Sequence, residues 1–407
     1  VGRTGLAVIT VFFSFLLVPA FASAAPVVTN VSPTSGPASG GTEVTIEGND
    51  LGEPTAVEFG GTPATEVTGI NPNKLTAKSP AHAGGTVDVI VTTKGGGSSS
   101  PVPADKYTFI PALPALGTFG SANQPSFIRA AGMAVDPKTG DLFVIDLSEE
   151  GLNGTLHRYK PNGESDPFSA LGTNVVDGSG GKDATKAGEI LGNEGFFGFN
   201  EAQVAIAPPG SAGGTEGDIY VTDAKHGVVD IFAPSGELIG EQAVSSYPCG
   251  VAVDPKGNVF VGSREGSTGV HKYTPTAPAS LTESAKSPFT ASLACQVAAG
   301  EGFVYVANNS LSSPLKIASE GENEGKAQYV IEQTNASTLA IDPLSGHLFV
   351  TYASFEPAQL VELDVSGATN ASVVSNTPVG SLPLGVVADG PTGRLYATWE
   401  GNLNVEV

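Results

Sequence analysis

MAVDPKTGDLFVID (133–146) is the stretch that decides the fold, because the chain says it six times. An apolar strand runs into a polar turn, often Asp-Pro with a Gly, and a second apolar strand follows, centred on an aromatic residue. The phrase returns as VAIAPPGSAGGTEGDIYVTD (204–223), VAVDPKGNVFVGS (251–263), VAAGEGFVYVAN (297–308), LAIDPLSGHLFVTY (339–352) and VVADGPTGRLYATW (386–399). The central aromatics are Phe143, Tyr220, Phe260, Tyr305, Phe349 and Tyr396, at spacings of 77, 40, 45, 44 and 47 residues. Repeats of roughly 40–50 residues built from four short strands are propeller blades.

Around each pair the other strands can be placed. TLHRY (155–159), VVDIF (228–232), VHKY (270–273), PLKI (314–317), QLVEL (359–363) and NLNVEV (402–407) read as third strands. Fourth strands such as ELIGE (237–241) and QYVIE (328–332) follow in five blades. The sixth runs out at its third strand, and an unassigned LGTFGS (116–121) stands before the first. That run can supply the missing outer strand and close the ring, which removes the sheet edges. Asp136, Asp254, Asp342 and Asp389 end inner strands before turns, where Asx-turn hydrogen bonding explains them. Residues 174–200 carry no blade signature and are expected to form a long loop.

Upstream lie five further strand-like runs: Glu43 to Glu47, Ala56 to Phe59, Lys74 to Ala77, Val87 to Thr92 and Lys106 to Ile110. Gly, Pro and Asn separate them, a pattern that suits a small sandwich. Gly60-Gly61 reads as a tight hairpin turn. GGGSSS (95–100) has strands on both sides and reads as a hairpin loop inside the domain. The expected fold class is all-β: an N-terminal immunoglobulin-like β-sandwich plus a six-bladed β-propeller. The expected boundaries are 26–110 and 112–407, joined by a short Pro-containing segment at 111–115. Residues 6–21 (LAVITVFFSFLLVPAF) form an uncharged apolar run after Arg3, and Ala22-Ser23-Ala24 offers small residues for a signal peptidase. Residues 1–24 therefore read as a secretory signal peptide. No other segment is long and apolar enough to cross a bilayer. The expected location is extracellular, free or held at the cell surface, with no membrane span after cleavage.

SPTSGPASGGTEVTIEGNDLG (32–52), VEFGG (57–61), Pro80-Ala81 and TVDVIVTT (86–93) resemble the TIG (IPT) family of immunoglobulin-like domains. That resemblance implies a spacer or adhesive module. LGTFGSANQPSFIRAAGMAVDPKTGDLFVID (116–146) and GDIYVTDAKHGVVDIFAPSGE (217–237) resemble NHL-repeat propellers.

The formal net charge of −22 makes nucleic acid an unfavourable partner, since an acidic surface repels phosphate. The same acidity permits weak Ca²⁺ binding, and no other cofactor is expected. In a propeller, loops leaving second strands and entering first strands share one face at the channel mouth. The second-strand exits are Asp146, Asp223, Ser263, Asn308, Tyr352 and Trp399, with Lys225, His226 and Arg264 on adjoining loops. Acids, an amide and two aromatics around one mouth suit a polar or sugar-like ligand; turn bonding and packing are the alternative. Cys249 and Cys295, the two cysteines, occupy equivalent positions in adjacent blades. In an oxidising exterior they either form a disulfide or pack as two thiols.

Some propellers of this general type are enzymes. In gluconolactonase-like propellers, acid and amide side chains at inner-strand starts hold a metal. The matching positions here, Ala131, Ala202, Cys249, Cys295, Ser337 and Leu384, offer neither. Virginiamycin B lyase-like propellers use catalytic histidines, and of His82, His157, His226, His271 and His347 only His226 stands on a suitable loop. The expectation is therefore a binding protein that takes an extracellular protein or glycan at the channel mouth. The alternative is an extracellular lyase or hydrolase acting at the same mouth through His226 with Asp223 or Asp146.

Overall fold

The computed structural model describes residues 24–407 apart from 112, 114–117, 120–126, 128–129, 148–153, 169–174, 177–201, 225, 245–246, 264–268, 290–293, 308–313, 332–335, 353–357, 381–382, 391 and 400–404. Residues 1–23 of the expected signal peptide and most of the loop expected at 174–200 lie outside the described residues. The chain is built of strands and divides into two compact units that meet between Ile110 and Pro111.

The first unit is a sandwich of two sheets. One orders the strands Val27–Ser32, Glu43–Asn49, Lys74–Lys78 and Thr65–Asn71. The other runs Ser35–Pro37, Lys106–Ile110, Gly85–Thr93, Pro54–Phe59 and Thr62–Pro63, with Gly97–Ser98 added to Gly85–Thr93. Alternation puts every second residue inside, as in Glu43–Asn49, where Val44, Ile46 and Gly48 are buried and their neighbours are not. The core joins Val44, Ile46, Leu75, Val89, Val91, Phe59, Tyr107 and Phe109. Phe59 meets Tyr107 and Phe109 edge-on, with centroids 5.0 and 6.1 Å apart. Gly60 and Gly61, at φ of 58° and 83°, make the two-residue hairpin that only such a backbone closes tightly. GGGSSS lies where a hairpin was expected, with Thr92 paired to Ser98 and Thr93 to Gly97.

The second unit is a ring of six four-stranded antiparallel sheets. Their inner strands are Ala130–Val135, Val204–Ile206, Pro248–Val253, Gln296–Gly300, Ala336–Ile341 and Pro383–Asp389, here numbered blades 1 to 6. In five blades the second-strand aromatic lies directly opposite an inner-strand alanine: Ala134/Phe143, Ala205/Tyr220, Ala252/Phe260, Ala298/Tyr305 and Ala340/Phe349. Blade 6 substitutes Val387/Tyr396. A small residue beside a large one lets wedge-shaped sheets interdigitate near the axis. Thr118–Phe119 pairs with Val405–Glu406 as the outer strand of blade 6, so these two residues of the run 116–121 close the ring. One expectation is corrected: Val175–Val176, inside the stretch read as loop, is the outer strand of blade 1. Two residues are too few to show a period of two, so the sequence pattern was mute there.

Candidate functional site

Strand register fixes which residues share a face. The first residues of the inner strands oppose the last or next-to-last of the second strands: Ala130/Asp146, Pro248/Ser263, Ala336/Tyr352 and Pro383/Trp399. Asp223 takes the same end of blade 2, two residues beyond the Val204/Val221 pair. The turns joining first to second strands lie at the other end. The topology therefore places Asp146, Asp223, Ser263, Tyr352 and Trp399 at one end of the propeller.

Their side chains are largely committed there. Asp223 is buried, and its carboxylate accepts the His226 backbone N–H at 3.0 Å and holds His226 Nδ1 at 2.5 Å. Ser263 is buried, and its carbonyl accepts the Ala294 N–H at 2.9 Å. Tyr352 is buried in a cluster with Ala336, Leu348 and Val361. The Trp399 indole lies against Gly380, where an added Cβ would stand 2.7 Å from Cδ1. Asp146 is part-exposed and bears on His157, whose pKa burial lowers and the Asp146 charge raises. Lys225, Arg264 and Asn308 lie outside the described residues. A carboxylate-held imidazole does not single out His226. His271 and His347 are bound in the same way by Glu283 at 2.6 Å and Glu362 at 2.7 Å, in a third strand and at an opposite-face turn.

The inner strands nearly touch at this end. An added Cβ on Gly132 would come within 2.5 Å of the Ala202 carbonyl, on Gly250 within 2.7 Å of that of Cys295, and on Gly385 within 2.4 Å of that of Ala131. Glycine there lets one blade's backbone approach the next. Cys249 and Cys295 are joined as a disulfide across blades 3 and 4, with Cα atoms 4.8 Å apart. Among the described residues no group of three acidic, His or Cys side chains is placed to hold a metal.

Space opens toward the opposite end. A cavity of about 560 Å³ runs along the axis, lined by inner-strand residues of all six blades. Val135, Ile206, Val253, Val297, Ile341 and Val386 line it alongside polar surface of comparable extent. Its rim is made by the first-to-second-strand turns, including Pro208, Pro255, Glu301, Asp342 and Leu344. None of the six described residues expected to line a mouth belongs to it. Leu344 is 78% exposed, the highest value among large hydrophobic residues described. Sequence reading passed over these residues because inner-strand aliphatics look like ordinary core. Leu344 was the one available signal, an apolar residue at the tip of the DPLSG turn.

Beside this end, Asp218 precedes the second strand of blade 2. It is buried, its Oδ2 meets no donor among the described residues, and desolvation pushes its pKa up to about 6. The folded state therefore holds the proton more tightly than the unfolded chain, and stability falls as pH rises from about 4 through about 6. Asp218→Asn should leave stability near pH 4 unchanged and raise it near pH 8, on the order of 1–3 kcal/mol. Urea unfolding of both proteins at the two pH values checks this; an equal gain at both would refute it.

Comparison with known proteins adds one family. Residues 26–105 match the IPT/TIG domain. No curated protein matches the chain. Among solved structures, an auxiliary nutrient binding protein from Bacteroides ovatus is similar at 14% identity and a TM-score of 0.45, over 96% of this chain and 99% of that one. A protein of unknown function from Bacteroides thetaiotaomicron is similar at 13% and 0.45, over 94% and 98%. A gluconolactonase from Xanthomonas campestris is similar at 12% and 0.46, over 72% and 97%. The propeller assignment rests on the six sheets of this chain itself. Among the described residues no helix is long and apolar enough to cross a membrane.

Proposed function

We propose that this chain is an exported binding protein. Its propeller takes a small ligand into the central channel, and its TIG domain acts as a spacer or adhesive module toward a cell surface or an extracellular protein or glycan. The observation that carries this reading is the axial cavity of about 560 Å³. Concave volumes of roughly 300–1,000 Å³ are where proteins hold small molecules. Export is supported by the apolar run 6–21 and the Ala22-Ser23-Ala24 that follows it. The second-strand-exit end is the weaker candidate, because Asp223, Ser263, Tyr352 and Trp399 are buried there.

The test is a calorimetric melting screen of the mature protein against small metabolites, glycans and divalent ions, with Ala388→Phe and Trp399→Ala alongside. Ala388 is a part-exposed wall residue of the cavity. A ligand that raises the melting temperature of the wild type and of Trp399→Ala, but not of Ala388→Phe, is the expected result. A shift lost only in Trp399→Ala would return the site to the other mouth.

A further inference from the structure

Resting on that channel reading, we infer that the cavity takes an uncharged, hydroxyl-rich molecule, read by the free edges of the inner strands and by the side-chain amide of Gln203. Each inner strand stands at the end of its sheet's strand order, so it is paired on one side only. In an antiparallel pair, alternate residues turn both backbone groups toward the partner strand, and the residues between them turn theirs away. Asp136, Ala207, Asp254 and Asp342 are of the first kind. They donate their N–H groups across the turn to Asp141, Asp218, Asn258 and His347, at 2.8, 2.9, 3.0 and 2.9 Å. The residues just before them, Val135, Ile206, Val253 and Ile341, therefore offer N–H and C=O to the axis. The same register gives that place to Ala299 in blade 4 and Ala388 in blade 6. All six line the cavity.

The wall is thus a ring of donors and acceptors in equal number, built of strong hydrogen-bonding groups with no net charge. A hydroxyl both donates and accepts, so neighbouring hydroxyls can meet an N–H and a C=O in either order. A hydrocarbon chain can meet neither. Gln203 adds a side chain at the deep end. It precedes the inner strand of blade 2, away from the turns, and lines the cavity. Its backbone is already taken: its N–H donates to Thr222 Oγ1 at 2.9 Å, and its C=O accepts the Thr222 N–H at 3.1 Å. Its amide nitrogen is buried and has no hydrogen-bond partner among the described residues. A buried amide left unpaired is costly, and a ligand oxygen on the axis would relieve that cost. The charged residues lining the cavity, Asp254, Glu301 and Asp342, are all acidic. A ligand carboxylate or phosphate would find no cation there.

The experiment is a ligand-observed NMR titration of the mature protein with sorbitol, gluconate and hexanol, which share one chain length. The expected result is saturable sorbitol binding, with gluconate, which carries a carboxylate, and hexanol, which lacks all hydroxyls but one, each weaker by about fivefold or more. Gln203→Leu should weaken sorbitol by about two- to tenfold and leave hexanol unchanged. The leucine buries no unpaired amide, so the melting temperature of this variant should not fall. Ala388→Phe should abolish sorbitol binding. The three wild-type affinities decide the matter even if neither variant folds. Gluconate or hexanol binding as tightly as sorbitol overturns the inference. So does sorbitol binding that both variants leave intact, which would place it elsewhere on the protein. If sorbitol does not bind, this inference falls, and the melting screen decides the channel reading separately. A ligand whose effect Ala388→Phe removes would keep that reading.

Discussion

Replacing Cys249 and Cys295 together by alanine lowers the unfolding free energy of the propeller by about 2–4 kcal/mol. The disulfide closes a separation of 46 residues between the inner strands of adjacent blades. In the chain-entropy account a loop of that length restricts the unfolded ensemble substantially, and the loss appears when the bridge is removed. The folded side contributes as well. Gly250 lies close under the Cys295 carbonyl and Gly262 close under that of Ala294, so blades 3 and 4 have little room to re-space themselves. Urea unfolding followed by tryptophan fluorescence reads the propeller alone, because Trp399 is the only tryptophan. A midpoint unchanged in the double variant would mean that the bridge adds no stability.

Phe260→Ala should cost about 3–5 kcal/mol, the range for truncating a fully buried aromatic. Phe260 is completely buried opposite Ala252 and packs in a cluster reaching from Val270 and Phe289 to Val304 and Ile317 of the next blade. The alanine beneath it cannot fill the void. Because Phe260 and the disulfide both tie blade 3 to blade 4, their losses should not add, and a triple variant should show coupling beyond about 0.5 kcal/mol. The same fluorescence-monitored unfolding measures each term. A loss below about 1 kcal/mol for Phe260→Ala would mean that the site collapses and that the aromatic repeat is not a packing device.

These two variants touch the features most legible in the sequence. The repeated aromatics could be read because each must fill the wedge between sheets, a demand that recurs once per blade. The repeated aspartates were equally legible as turn formers: Asp136, Asp254 and Asp342 accept backbone N–H groups two residues on, at 2.8, 2.9 and 3.0 Å. Asp389 departs from this pattern: Pro391 stands two residues on with no N–H to give, and Asp389 accepts the Thr392 hydroxyl instead. Ring closure by Thr118–Phe119 followed from counting strands.

What the sequence hid has physical causes. Thr65–Asn71 is almost wholly exposed, so no apolar alternation marks it as a strand. Ser35–Pro37 looks like a turn, yet it pairs parallel to Lys106–Ile110 as an edge, where a proline is tolerated. The candidate site was hidden most deeply. Topology alone puts Asp146, Asp223, Ser263, Tyr352 and Trp399 on one end, and strand order makes that inferable. That a cavity opens among the first-to-second-strand turns depends on how the six inner strands assemble, a long-range property no single blade displays.

If the axial cavity is the ligand volume of this protein, crystals of the mature protein soaked with a compound that raises its melting temperature hold that compound on the axis, and diffraction from them is the most direct test. The predicted result is ligand density among Val253, Ala299 and Ile341. Density absent from the axis, or seated beside Trp399 instead, would contradict this reading.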